Sequence, residues 1–222
     1  MSAVVIGASG GIGAAVADAL DDEGAFDSVH RLSRSGTGLY LTDEASVAAA
    51  AATVGAPTLV IVATGVLHEA GNGTEKALRD LDPVWLARQY AVNAIGPALV
   101  AKHFLPVMPK AGRCVFAVLS ARVGSIADNR LGGWHGYRAS KAALNQLIRT
   151  IAIEEKRRND RAIVVGLHPG TVDTALSRPF RNIGRDLFKP DRAAVQLLDV
   201  IDGLKPPDSG KLFAWDGAEI AP

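Results

Sequence analysis

The chain has 222 residues, 48% of them hydrophobic, and a formal charge of +1 from 24 basic and 23 acidic side chains. That length fits one α/β domain with a substantial core, and no Gly/Ser/Pro-rich linker divides it. Scattered charge argues against a nucleic-acid face, a single cysteine (Cys114) rules out an internal disulfide, and no run of apolar residues approaches the 18 needed to span a membrane.

In chain order, short β-branched runs alternate with longer helical patterns. Ala3–Ile6 reads as a strand, Ile12–Leu20 as a helix opened by a glycine loop, Ser28–Leu32 as a strand, and Asp43–Ala52 as a helix capped by Asp43. The N-terminus lacks a basic n-region, so this start is read as strand and helix, not as a signal peptide. Leu59–Ala63 is apolar throughout, as a strand buried on both faces must be. Asp82-Pro83 starts a long helix, with Asp at the N-cap and Pro at N1, reaching about Met108. Arg113–Leu119 follows as a strand, Tyr137–Lys156 as a long helix, Ala162–Leu167 as a strand, Asp191–Ile201 as a helix and Lys211–Ala214 as the last strand. Such alternation predicts an α/β fold: a single Rossmann-type domain over residues 1–222, its doubly wound parallel sheet holding the ligand at the carboxyl ends of the strands.

Two motifs carry chemistry. The loop Gly7-Ala8-Ser9-Gly10-Gly11-Ile12-Gly13 follows a strand and opens a helix, the setting needed to receive a dinucleotide pyrophosphate. Its spacing is Gly-x-x-x-Gly-x-Gly (Gly7, Gly11, Gly13). Tyr137 and Lys141 stand four residues apart, on one face of a helix. Lowering a phenol pKa from near ~10 by ~3 units needs roughly 4 kcal/mol, about what a unit charge ~4 Å away supplies at an effective dielectric near 20. The pair therefore reads as a general acid/base. The end of the second strand, Arg31-Leu32-Ser33-Arg34-Ser35, has no acid to bind a ribose 2′-hydroxyl but has Arg34 to accommodate a 2′-phosphate, so NADP is favoured over NAD. Pro97 lies four residues after Asn93 and has no N–H to give that carbonyl, which leaves it open to a water. The five histidines show no metal-ligand spacing, and no metal is expected.

The loop, Tyr-x-x-x-Lys, Asn93 in Val92-Asn93-Ala94-Ile95-Gly96, and His168-Pro169-Gly170-Thr171-Val172-Asp173-Thr174 occur in the order of the short-chain dehydrogenase/reductases, which the chain resembles over nearly its whole length. The stretch Ser120-Ala121-Arg122-Val123-Gly124-Ser125, with the residues leading into Tyr137, is similar to the sniffer-type carbonyl reductases and C-factor-like proteins. The resemblance implies an oxidoreductase acting on a small carbonyl or alcohol. Tyr137 would move the proton, Lys141 would lower its pKa and hold the nicotinamide ribose, and Asn93 would anchor a relay water. Cofactor contacts would come from Gly7, Ser9, Gly11, Ile12, Gly13, Ser33, Arg34, Ala63, Gly65, Pro169, Gly170, Val172 and Thr174. A cytoplasmic homodimer or homotetramer would be expected, with the two long helices at the interface. A regulatory or signalling protein that keeps the cofactor fold with weak turnover is the alternative.

Two departures stand out. The catalytic serine of the family falls at Ala121, leaving Ser120 or Ser125 to supply a hydroxyl, although adjacent strand residues face opposite ways. The usual Asn-Ala-Gly after the third strand reads Ala63-Thr64-Gly65. The segment Asp173–Lys189 is expected to form a pocket lid, with Leu176, Pro179, Phe180, Ile183, Leu187 and Phe188 among Arg178, Arg181 and Arg185.

Overall fold

In a computed structural model, described for residues 1–69, 71–178 and 187–222, the chain forms one seven-stranded sheet with helices on both faces. The strands are β1 (Ser2–Ile6), β2 (Ser28–Leu32), β3 (Leu59–Val62), β4 (Cys114–Leu119), β5 (Ala162–His168), β6 (Leu212–Ala214) and β7 (Glu219–Ile220). Their order is β2-β1-β3-β4-β5-β6-β7. Every pairing is parallel except the last, β6 with β7. The helices are α1 (Gly11–Glu23), α2 (Arg34–Thr37), α3 (Glu44–Ala51), α4 (Pro83–Tyr90), α5 (Gly96–Phe104), α6 (His135–Arg158) and α7 (Pro190–Gly203).

Strand alternation divides the core. Val4, Ile6, Val60 and Val62 face α3, α5 and α6, meeting Val47, Phe104, Leu144 and Ile148. Ala3, Val5, Leu59 and Ile61 face α1 and α7, meeting Val16, Leu20, Leu197 and Ile201. Both faces of the central strands are covered, which explains their unbroken apolar runs.

Sequence and structure differ at three places. The helix expected from Asp82-Pro83 to Met108 starts as expected, with Asp82 Oδ1 accepting from the Trp85 N–H at 2.7 Å. It then widens into a π-helical turn at Ala91–Ile95, where the Gly96 N–H reaches back to the Ala91 carbonyl, and ends in a 3₁₀ turn at Leu105–Val107. Pro97 is the physical reason: a proline one turn after Asn93 cannot close the ordinary i to i−4 bond, and the extra residue of the π turn accommodates it. The short α2 and the antiparallel β7 were not expected. The reversal into β7 is a tight turn at Asp216-Gly217, with Gly217 at φ +80 and the Ala214 N–H donating to Ala218 O at 2.8 Å. Among the described residues no helix is long and apolar enough to cross a membrane.

Candidate active site

The carboxyl ends of the parallel strands open into a cleft of about 600 Å³ that runs from Arg34 at one end to Tyr137 and Leu176 at the other. At its centre lies the β1–α1 loop. Gly7 takes φ +91, and a Cβ there would lie 2.7 Å from the Ala63 carbonyl oxygen. A Cβ at Gly13 would lie 2.2 Å from the Gly7 carbonyl oxygen, so only glycine lets α1 begin this close to β1. The N-cap, Gly10, has no side chain to satisfy the first amides of α1. Those N–H groups and the helix dipole therefore remain for an anion. The glycine cradle and open helix start fit a dinucleotide pyrophosphate.

Of the residues expected to contact cofactor, Gly7, Ser9, Gly11, Ile12, Ser33, Arg34, Ala63, Gly65, Pro169 and Thr174 line this cleft, together with Ser120, Tyr137 and Lys141. Gly13, Asn93, Gly170 and Val172 stand behind the wall. Val172 is buried and pairs with Phe188 in a parallel bridge. Gly170, at φ +76, backs onto Phe188 and Trp215. Of the expected lid, Leu176 packs beside Tyr137, while Pro179, Phe180, Arg181, Ile183 and Arg185 lie outside the described residues.

Tyr137 and Lys141 project from the first turns of α6 and are both buried. The Lys141 ammonium sits 5.9 Å from the Tyr137 ring centroid and donates to the Leu119 carbonyl at the end of β4, 2.8 Å away. Burial pushes the Tyr137 phenol up to about 12 and the Lys141 ammonium down to about 8. This corrects the expectation that Lys141 lowers the phenol: in the chain by itself desolvation dominates, because the ammonium is turned to Leu119. At neutral pH the arrangement holds a neutral phenol beside a protonated lysine, which suits a proton donor.

Asn93 is fully buried in the π turn. Its Oδ1 accepts from the Val66 N–H at 2.8 Å, and its Nδ2 donates to Val66 O at 2.9 Å and to Ser140 Oγ at 3.0 Å. The side chain thus pins the loop after β3 to α6.

Neither serine stands ready as a replacement for the one expected at Ala121. Ser120 lines the cleft, but its hydroxyl donates to Asn145 Oδ1 at 2.6 Å. Ser125 Oγ accepts from the Asp128 N–H at 3.1 Å and donates to Pro222 O at 3.4 Å, behind the cleft wall. The side chain packed against Tyr137 and Leu67 is the methyl of Ala121. Ser120, expected in the catalytic set, therefore lines the cleft but has its hydroxyl hydrogen-bonded to Asn145, while the next residue packs its methyl on the tyrosine.

Sequence reasoning missed His68 and the Glu69–Arg88 pair, which also line the cleft. His68 Nε2 lies 3.1 Å from Leu176 O and 3.3 Å from Ala175 O, tying the loop after β3 to the segment that follows Thr174. Arg88 donates to Glu69 at 2.9 Å. The only signal for Arg88 was its position one helical turn before Val92 on the cleft-facing side of α4. His135, two residues before Tyr137, does not line the cleft.

A family model described as enoyl-(acyl carrier protein) reductase matches residues 37–198. The C-signal protein of Myxococcus xanthus is 36% identical over 157 residues, 70% of this chain and 90% of that protein. The 1-hydroxy-2-glutathionyl-2-methyl-3-butene dehydrogenase of Rhodococcus sp. (strain AD45) is 30% identical over 224 residues, 96% of each chain. Among solved structures, the carbonyl reductase Sniffer of D. melanogaster superposes with a TM-score of 0.81 at 20% identity, over 99% of this chain and 98% of that one. NADPH-bound carbonyl reductase from chicken fatty liver gives 0.80 at 24% identity, over 99% and 93%. The match over residues 37–198 and the full-length relative make the chain a member of the short-chain dehydrogenase/reductase family of oxidoreductases.

Proposed function

We propose that the chain is an NADP-dependent reductase of small carbonyl compounds, with Tyr137 as the proton donor. The observation that carries the reading is a single cleft that begins beside Arg34, passes the glycine cradle at the start of α1, and ends at the buried Tyr137–Lys141 pair. NADPH-bound carbonyl reductase among the structural neighbours supports the choice of cofactor. When bound, the nicotinamide supplies a hydride to the carbonyl carbon. Every other task falls to the chain. The α1 N-terminus receives the pyrophosphate, and Arg34 with Ser33 receives the 2′-phosphate. Tyr137 gives its proton to the substrate oxygen, and the Lys141 ammonium opposes the charge that remains on the phenolate. The Asn93 carbonyl, to which Pro97 has no N–H to give, would hold a water through which the phenol regains its proton. Leu176 gives the substrate end an apolar wall beside Tyr137, and Leu67 and Ala121 pack against the tyrosine. With the Ser120 hydroxyl held against Asn145, Tyr137 is the donor to the substrate oxygen.

The second reading, a cofactor-binding signalling protein with weak turnover, is favoured by one observation: Ala121 places a methyl where a second hydroxyl donor would stand. Losing such a donor costs ~10²–10³ in rate. Titration of the protein with NADPH and NADH, followed by a panel of aldehydes and ketones, separates the two. The reductase reading expects NADPH to bind the more tightly, Arg34→Asp to weaken NADPH far more than NADH, and at least one carbonyl to drive oxidation of NADPH. Binding without oxidation on any substrate favours the signalling reading. Equal loss of both cofactors in Arg34→Asp removes Arg34 from the 2′-phosphate site.

A further inference from the structure

The first turn of α6 carries the proposed proton donor, yet the helix starts without an ordinary cap. Its N-cap is Trp134, in the left-handed region at φ 52 and ψ 42, with no side-chain hydrogen bond to the helix amides. The missing acceptor comes from a distant loop. Glu75, between β3 and α4, is 3% exposed. Its Oε2 accepts from the Gly136 N–H at 3.3 Å, its Oε1 accepts from Gln89 Nε2 at 3.0 Å, and its main-chain oxygen accepts from the Trp134 N–H at 2.5 Å. Gln89, on α4, is itself 1% exposed, and its Oε1 has no hydrogen-bond partner. The fit leaves no slack, because a Cβ on Gly136 would lie 2.6 Å from Gln89 Nε2 and 2.9 Å from Glu75 Oε1.

We infer that Glu75 is a positioning residue for Tyr137: held by Gln89, its carboxylate and carbonyl fix the first turn of α6 and so set where the adjacent phenol lies. The inference rests on the reductase reading for its catalytic consequence but not for its structural one. A carboxylate at a helix N-terminus is favoured by both the open amides and the dipole. A buried carboxylate is retained only when its oxygens are hydrogen-bonded, and both of these are. Two of the three bonds act on Trp134 and Gly136, the residues that precede Tyr137, and the third ties Glu75 to Gln89 on α4. Trp134 also meets the phenol ring edge-on, at 6.3 Å between centroids and 70° between planes, so a shift of the turn moves both rings together.

The test compares Glu75→Ala, Glu75→Gln and Gly136→Ala with the wild type in the full chain. It measures amide hydrogen exchange across residues 133–141, NADPH binding by fluorescence, thermal stability and, where the wild type turns over a carbonyl, kcat and KM. Glu75→Ala is expected to speed exchange in this segment about fivefold, the size expected of a lost helix cap, while the rest of α6 is unchanged. It is expected to lower kcat by ~10²-fold with NADPH binding retained, the cost of a misplaced reacting group. Glu75→Gln should recover most of both, because its amide oxygen still accepts from Gly136 and its NH₂ can donate to the free Oε1 of a turned Gln89. Gly136→Ala should reproduce the loss by displacing the turn. Unchanged local exchange in Glu75→Ala overturns the inference. So does a kcat that falls only with the folded fraction, or a Glu75→Gln variant as impaired as Glu75→Ala. A wild type that turns over no carbonyl refutes the reductase reading alone, since the exchange comparison still decides the role of Glu75.

Discussion

At the residue scale, the account turns on which side chain touches the substrate oxygen. Ala121 presents its methyl to Tyr137, while Ser120 Oγ is hydrogen-bonded to Asn145 Oδ1. Ala121→Ser therefore adds the missing donor, and we expect it to raise turnover of a carbonyl by ~10-fold or more. Ser120→Ala should cost less than ~10-fold, and a loss of ~10²-fold or more in steady-state kinetics would return Ser120 to the catalytic set. Lys141 gives a prediction in pH. Burial lowers its pKa from 10.5 to about 8. Below pH 8 both native and unfolded chains hold the proton, and burial of the ammonium is a constant cost. Between pH 8 and 10.5 the unfolded chain keeps a proton that the native chain has released, so this group's contribution to the unfolding free energy rises with pH. Tyr137, raised from 10.0 to about 12, acts in the opposite sense above pH 10, where the unfolded chain loses a proton that the native chain keeps. Urea unfolding at pH 7, 8, 9 and 10 should show wild type gaining stability relative to Lys141→Met from pH 8 upward. A difference independent of pH would contradict the burial argument. Most of the cleft was legible at this scale, because glycine loops and the Tyr-x-x-x-Lys spacing are local. His68 was not legible: it reaches Leu176 across more than a hundred residues of chain, and nothing in its immediate sequence marks the partner.

At the element scale, propensity and tertiary packing agree nearly everywhere. The central strands were legible from their apolar runs, and the starts of α3 and α4 from Asp43 and Asp82, whose carboxylates accept from Ala45 and Trp85. The break in the long helix was only half legible: Pro97 signalled an unsatisfied carbonyl, but not the extra residue that the π turn inserts. β7 escaped because two residues carry no usable periodicity. The β1–α1 unit gives the sharpest prediction. In Gly13→Ala the added methyl meets the Gly7 carbonyl, which as backbone has little room to yield. The start of α1 must then move away from the cleft. NADPH affinity should fall by ~10²-fold in a fluorescence titration, the scale of a small displacement at a positioned site. Unchanged affinity would mean that the pyrophosphate does not sit on this helix start.

At the scale of the whole molecule, the parallel strand order brings β1, β3, β4 and β5 to one edge, so residues scattered from Gly7 to Thr174 share one cleft. The same topology buries Asn93 between the loop after β3 and α6, coupling the floor of the cofactor cleft to the helix that carries Tyr137 and Lys141. Family membership fixes the oxidoreductase frame. Within that frame, the central claim is that one buried phenol at the end of this cleft delivers the proton. The most direct test compares wild type with Tyr137→Phe by NADPH binding and by single-turnover oxidation of NADPH on a carbonyl that the wild type reduces. The account predicts nearly equal cofactor affinity and a rate in Tyr137→Phe lower by ~10³-fold or more. A Tyr137→Phe variant that oxidises NADPH within ~10-fold of the wild-type rate would contradict it.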